Sequence, residues 1–310
     1  MTKHMLTIFT LALACNTKDT SDPAEDSGSE TVDTEDSAVG DEDIEDTIDE
    51  AHNWQPGINV LTLDQEVEGE TVERSYYVHL PDDYDGSANT PLLFAFHGAD
   101  GTGEDFINEF GPPIQSGEFV GVYPNGIDKS WNVEREDSKA DDMAFTESIL
   151  SALSGVAGID VNRPVAVGFS NGAALIHKIS IEKELFVAIV PQVSHLLVSN
   201  QPDSDSARIP VMQFNGTDDD LCPYDGGVGI LGYEFMPAED STAAWAAHNG
   251  CDATPTETAI DPHVKLEWEN CDDGNRVIHY RLNGVGHGVP PDVDGGTNPR
   301  IIEFLLEARQ

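Results

Sequence analysis

Apolar positions along this chain recur with a period of two in some stretches and of three to four in others. "RSYYVHL", Arg74 to Leu80, alternates and predicts a strand. "PLLFAFHG", Pro91 to Gly98, and "EFVGVYPNG", Glu118 to Gly126, are apolar runs that end in turn residues, as buried strands do. Asp142 to Val156 sets Met143, Ile149, Leu150, Leu153 and Val156 at helical spacing. Pro164 to Phe169 predicts a strand, and Asn171 to Ile181 a helix directly after it. Phe186 to Pro191 and Ile209 to Phe214 predict two more buried strands. Thr242 to His248 reads as a short Ala-rich helix, Arg276 to Leu282 as a late strand and Asn298 to Glu307 as a closing helix. Strands alternating with helices imply an α/β domain with a largely parallel sheet covered on both faces. No internal repeat is visible.

The first 51 residues follow neither period. Lys3 precedes an apolar run, Met5 to Ala14, which is too short to span a bilayer and fits a secretory signal over residues 1–15. Ala12-Leu13-Ala14 has the A-x-A form of a cleavage site. The same place is similar to the lipobox of bacterial lipoproteins, which would make Cys15 the lipidated residue and a lipid anchor the link to a membrane. The usual Leu three residues before that Cys is Ala12 here. Asn16 to Glu50 holds 15 acidic residues and one basic residue, Lys18. Such a stretch buries too little apolar surface to offset its chain entropy, so residues 16–51 are expected to be a disordered acidic linker. The folded domain is expected over residues 52–310.

The 310 residues include 15 Lys and Arg against 58 Asp and Glu, a formal net charge of −43. That balance excludes a nucleic-acid binder, which needs a basic patch. Residues 51–310 keep 43 acidic and 13 basic side chains, a surface that resists aggregation and repels acidic polymers. Beyond Cys15 the cysteines are Cys222, Cys251 and Cys271. Cys251 and Cys271 flank a polar, turn-rich loop and are the better pair in an oxidising compartment. Cys222 reads as a small buried side chain.

Between the strand Pro164–Phe169 and its helix lies Gly168-Phe169-Ser170-Asn171-Gly172, a G-x-S-x-G match. In this turn the serine takes a strained backbone geometry, its neighbours must be small, and its Oγ stands above the sheet's C-terminal edge. A serine nucleophile needs a base and an orienting carboxylate, here in the chain order Ser, acid, His. The strand Ile209–Phe214 runs into "NGTDDDLCPYDGG", so Asp218, Asp219 and Asp220 are all candidates for the acid. His287, in the Gly-rich "NGVGHGVPP" after the late strand, is the candidate base. The oxyanion donors are assigned to the N–H groups of Asn171 and of Ala99, in the "HG" loop after an early strand. His97 is expected to hold that loop. Asp141 and Asp142 read as caps of the helix that follows them. Acidic spacing in "PPDVDGG", Pro290 to Gly296, reads as a solvated turn rather than a calcium loop. No metal or organic cofactor is called for.

At this point an ordered set of stretches resembles one family. "RSYYVHLP", "PLLFAFHG", "GVYPNG" with "SWN", "DDMAF", "GFSNG", "NGTDDDLCPYDGG", "WAAHNGC" and "VIHYRLNGVGHGVP" cover nearly all of Arg74 to Gln310. They are similar to the secreted α/β-hydrolase esterases grouped with polyhydroxybutyrate depolymerases, feruloyl esterases and acetyl xylan esterases. The resemblance implies that Asp219 is the acid of the cluster, that Cys251 pairs with Cys271, and that Trp131 and Asn132 lie near the site, Trp131 as a substrate contact or equally as a core or surface aromatic. Two departures stand out. Asn215 replaces a frequent His and creates an N-x-T sequon, and Gly288-Val289-Pro290 replaces a frequent Trp-Pro-Gly. The expectation is a secreted or lipid-anchored serine esterase acting through an acyl-enzyme on small or oligomeric, polysaccharide-linked esters. The rivals are a serine peptidase of the same fold and a non-catalytic ligand-binding lipoprotein.

Overall fold

The computed structural model describes residues 52–309. The expected signal segment, Cys15 and the expected acidic linker lie outside them. Among the described residues, twelve strands run in the order β1 (Gly57–Val67), β2 (Glu70–Leu80), β3 (Thr90–Phe96), β4 (Val120–Pro124), β5 (Ile159–Phe169), β6 (Ile189–Gln192), β7 (Val211–Gly216), β8 (Gly227–Val228), β9 (Glu234–Phe235), β10 (Thr256–Ile260), β11 (His263–Trp268) and β12 (Val277–Leu282). The helices are α1 (Glu104–Ile107), α2 (Gly111–Gln115), α3 (Asp142–Leu153), α4 (Asn171–Glu182), α5 (Ala238–His248) and α6 (Thr297–Glu307).

Ten strands form one sheet in the order β1-β2-β4-β3-β5-β6-β7-β12-β11-β10. It is parallel from β4 to β12 and antiparallel at both edges, where β1 and β2 extend one side and β11 and β10 the other. The expected largely parallel sheet is thus present, with antiparallel strands added at both edges. The β10–β11 hairpin was not foreseen, because "TETAI" is largely exposed and carries no buried face.

Alternation along the central strands feeds two cores, as the pleat requires. Leu92, Phe94 and Phe96 of β3, with Ala166 of β5, face Phe145 and Ile149 of α3 and Leu175 and Ile179 of α4. Leu93 and Ala95, with Val165 and Val167, face Phe106 and Phe110 on one side and Ile301 and Leu305 of α6. β4 lies on one side of β3 and β5 on the other, so the strand order reverses there. In open α/β sheets the crevice for ligands lies at the carboxyl ends of such strands.

Asp141 caps α3 as expected, its side chain accepting from Ala144 N–H at 2.9 Å. Asp142 does not cap. It is buried and accepts from Arg74 at 2.6 Å and from Asn132 N–H at 2.6 Å. Burial pushes the Asp142 carboxyl up and Arg74 offsets part of that. The pair ties β2 to the loop that carries Trp131. Cys251 and Cys271 form a disulfide, and Cys222 is free.

Candidate active site

Ser170 sits between β5 and α4 with φ 54° and ψ −116°. A non-glycine residue at positive φ is costly and concentrates at functional turns. Neither flanking glycine has room for a side chain. A Cβ on Gly168 would lie 2.4 Å from the Gly172 carbonyl oxygen, and one on Gly172 2.3 Å from that of Phe96. The turn thus packs directly onto the end of β3, where the "HG" loop begins.

Three residues far apart in sequence meet here. Ser170 Oγ lies 2.7 Å from His287 Nε2 and donates to it, and His287 Nδ1 donates to Asp219 Oδ2 at 2.7 Å. Asp219 follows β7, and His287 follows β12, its parallel neighbour. The other oxygen, Asp219 Oδ1, accepts from Leu221 N–H at 2.9 Å and Cys222 N–H at 3.0 Å. Burial alone would raise this carboxyl. The bonds from His287 and from the Cys222 and Leu221 amides outweigh burial and hold it below the usual carboxylate range. Asp218 and Asp220, its neighbours, are exposed.

The "HG" loop is fixed from behind. Gly126 N–H donates to His97 Nε2 at 3.1 Å, so the proton is on Nδ1, which donates to the Gly98 carbonyl at 2.8 Å. Burial lowers the His97 pKa, which keeps the ring neutral in this role. Ala99 and Asn171 border the same cavity as Ser170.

Trp131 does not meet that cavity. It is fully buried, its indole N–H donates to the His97 carbonyl at 2.8 Å, and its ring packs on His97 and Phe96. The substrate contact expected of it is corrected to a support of the loop. Asn132 is likewise engaged, donating to the Ala140 carbonyl at 2.9 Å. Asn215 is 1% exposed and bonded to Gln213 and His195, so its sequon is inaccessible. Gly288, Val289 and Pro290 line a separate cavity of about 360 Å³. Among the described residues no cluster of His, Cys, Asp or Glu is arranged to hold a metal ion.

One residue of the site gave no signal in the sequence. Glu136, 6% exposed, borders the Ser170 cavity without a cationic partner for its carboxylate among the described residues. Its Oε2 accepts from Val133 N–H at 2.8 Å, from Glu134 and Arg135 N–H at 3.1 Å, and from Tyr233 O–H at 2.8 Å. Its Oε1 accepts from Asn171 Nδ2 at 3.1 Å. Asn171 also donates to the Trp131 carbonyl at 3.0 Å, while its Oδ1 accepts from Trp131 N–H at 2.7 Å. The side chain next to the serine is thereby clamped on three sides.

Two spaces open from Ser170. One, about 80 Å³, is lined mainly by apolar groups, among them Val133, Ala174, Leu197, Cys222 and Phe235. Burial pushes the Cys222 thiol up to about 12, so it lines this space as an unreactive wall. The other, about 550 Å³, is open and includes His287, Asp100, Asp105 and Glu109.

No protein-family model matches the chain. Over 228 residues, 69% of its length, it is 26% identical to feruloyl esterase B of Piromyces equi, of which it spans only 42%. To feruloyl esterase C of Emericella nidulans it is 24% identical over 248 residues, 76% of this chain and 84% of that protein. The chain is similar in sequence to these esterases. Acetyl xylan esterase from Aspergillus awamori shares the fold with a TM-score of 0.55 at 16% identity, over 80% of this chain and 98% of that one. LpqC, a poly(3-hydroxybutyrate) depolymerase from Bordetella parapertussis, does so with a TM-score of 0.50 at 14% identity, over 75% and 85%. The chain thus has the α/β-hydrolase fold.

Proposed function

We propose that the chain hydrolyses carboxylic esters through an acyl-enzyme on Ser170. The observation that carries this reading is the pair of 2.7 Å hydrogen bonds that link Ser170, His287 and Asp219 behind a strained serine turn. His287 takes the Ser170 proton as Oγ attacks the ester carbonyl, and Asp219 orients the ring and stabilises its charged form. The N–H groups of Ala99 and Asn171 receive the oxyanion. His287 then protonates the leaving alcohol and activates the water that releases the acid.

The two spaces receive different halves of the substrate. A leaving alcohol must sit beside His287, which borders only the open 550 Å³ cleft. The acyl group therefore occupies the 80 Å³ apolar space. An apolar cavity of about 150 Å³ takes a benzene molecule, so the smaller acyl space suits acetyl to butyryl groups. The reading is a short-acyl esterase acting on bulky polar alcohols, of which an acetylated sugar is one. Comparing acetylated xylan with methyl ferulate tests it. Acetate release should exceed ferulate release at least tenfold, and the reverse order overturns the assignment of the acyl side.

The Cys251–Cys271 disulfide supports an oxidising compartment. Secretion with lipidation at Cys15 is the proposal for how the chain reaches it. A Cys15→Ser protein that still partitions with membranes would refute the anchor.

A further inference from the structure

On this acidic protein three exposed apolar side chains stand at the mouth of the site. Among the described residues seven large ones stand well exposed, and four of these, Leu221, Val228, Ile230 and Leu231, come from the stretch 221–231. A fifth, Val198, is tied to β9 by its N–H donating to the Glu234 carbonyl at 2.9 Å. Ile230 borders both spaces at Ser170, Leu231 the acyl space and Leu221 the open cleft.

The turn that presents them is firmly held. Ile230 N–H donates to the Leu221 carbonyl at 2.8 Å, Gly229 N–H to that of Tyr233 at 2.9 Å, and Arg135 to that of Gly232 at 2.7 Å. A Cβ on Gly229 would lie 2.4 Å from the Leu221 carbonyl oxygen. Leu231 stands at φ 52°, ψ 15°, a left-handed position that glycine fills without strain. A bulky apolar residue kept there, 55% exposed and beside the nucleophile, is strain held at a functional site.

We propose that the Ile230–Leu231 turn sets the acyl-chain preference. Acyl groups too long for the small space leave it between these two side chains and lie along the apolar rim. The inference rests on the serine-esterase reading and adds a second acyl subsite to it. Full burial of one methylene is worth about fourfold in binding, and about twofold when one side stays wet. An octanoyl group carries six more methylenes than acetyl. With about two inside and four on the rim, the rim contributes about fifteenfold by the same estimate.

The experiment measures kcat/KM for p-nitrophenyl acetate, butyrate and octanoate, below micelle-forming concentrations. It compares the wild-type chain with Ile230→Ser, Leu231→Ser and Leu231→Gly. The octanoate-to-acetate ratio should fall about fivefold or more in each variant. Leu231→Gly should also raise Tm, because the left-handed strain is released, so it remains informative if a serine variant folds poorly. An unchanged ratio in a folded Leu231→Gly overturns the inference. So does a wild-type dimer that Leu231→Ser turns into a monomer with the ratio unchanged, since the rim would then be a self-association surface. Wild-type protein inert toward all three esters would instead sink the esterase reading on which the proposal stands.

Discussion

Glu136→Gln tests how Asn171 is held. Glu136 gives one oxygen to four donors and the other to Asn171 Nδ2. In the variant the amide oxygen stays with the four donors, and the new NH2 group faces the NH2 of Asn171. One donor is left without an acceptor in a buried setting, which costs about 1–3 kcal/mol. Asn171 also supplies a proposed oxyanion N–H, and losing such a donor outright costs about 10²–10³ in kcat. A misplaced donor should cost less, about 10–50-fold in kcat with KM changed by less than about threefold. Adding Asn171→Asp restores an acceptor opposite the new amide at position 136 and keeps a single negative charge. It gives up the bond to the Trp131 carbonyl. The double variant should therefore recover at least fivefold in kcat over Glu136→Gln. Asn171→Asp alone, which sets two carboxylates face to face, should be the worst of the four proteins. The assay is steady-state hydrolysis of p-nitrophenyl acetate, with Tm measured for each protein. If Glu136→Gln retains wild-type kcat, or if the two changes are simply additive, Glu136 does not position Asn171.

Replacing Ser170 with glycine should abolish hydrolysis yet raise stability by about 1 kcal/mol relative to Ser170→Ala, because the φ of 54° no longer meets a Cβ; equal melting temperatures would contradict the strain. Native Cys222 should resist a disulfide-exchange reagent at pH 8 and react only on unfolding, since burial raises its pKa to about 12; rapid labelling of folded protein would contradict this. Burial lowers His177 and His279 to about 3 and His195 to about 4, against an ordinary value of 6.5. The unfolded chain binds these three protons first, so stability is full above pH 6.5 and falls as pH drops toward 4. The slope reaches roughly 4 kcal/mol per pH unit for three protons. Urea titrations from pH 7.5 to 4.5 check this, and a flat unfolding free energy would contradict it.

The serine turn was legible because its requirements are local: a strand, two glycines without room for a Cβ, and a helix within a few residues. His287 was legible because it falls third in the chain order Ser, acid, His, in a Gly-rich loop at a strand end. The acid was harder. Asp218, Asp219 and Asp220 are alike in sequence, and what separates Asp219 in space is its burial, its bond to His287 and the amides of Leu221 and Cys222 folding back onto it. Glu136 lies in "VEREDSK", which reads as a solvated charged loop. Its burial depends on Tyr233, nearly a hundred residues away. Trp131 failed for a related reason, since proximity to a site does not say whether a ring faces the substrate or the scaffold behind it. The edge hairpin β10–β11 escaped notice because its first strand is exposed.

The central claim is that Ser170 is the nucleophile, and covalent trapping tests it most directly. Folded protein is treated with a fluorophosphonate, and its intact mass and peptide fragments are measured. The account predicts one adduct per chain, located on Ser170 and matched by complete loss of p-nitrophenyl acetate hydrolysis. Ser170→Ala should take up no label. A folded wild-type protein that stays unlabelled, or a Ser170→Ala protein that keeps full activity, would contradict it.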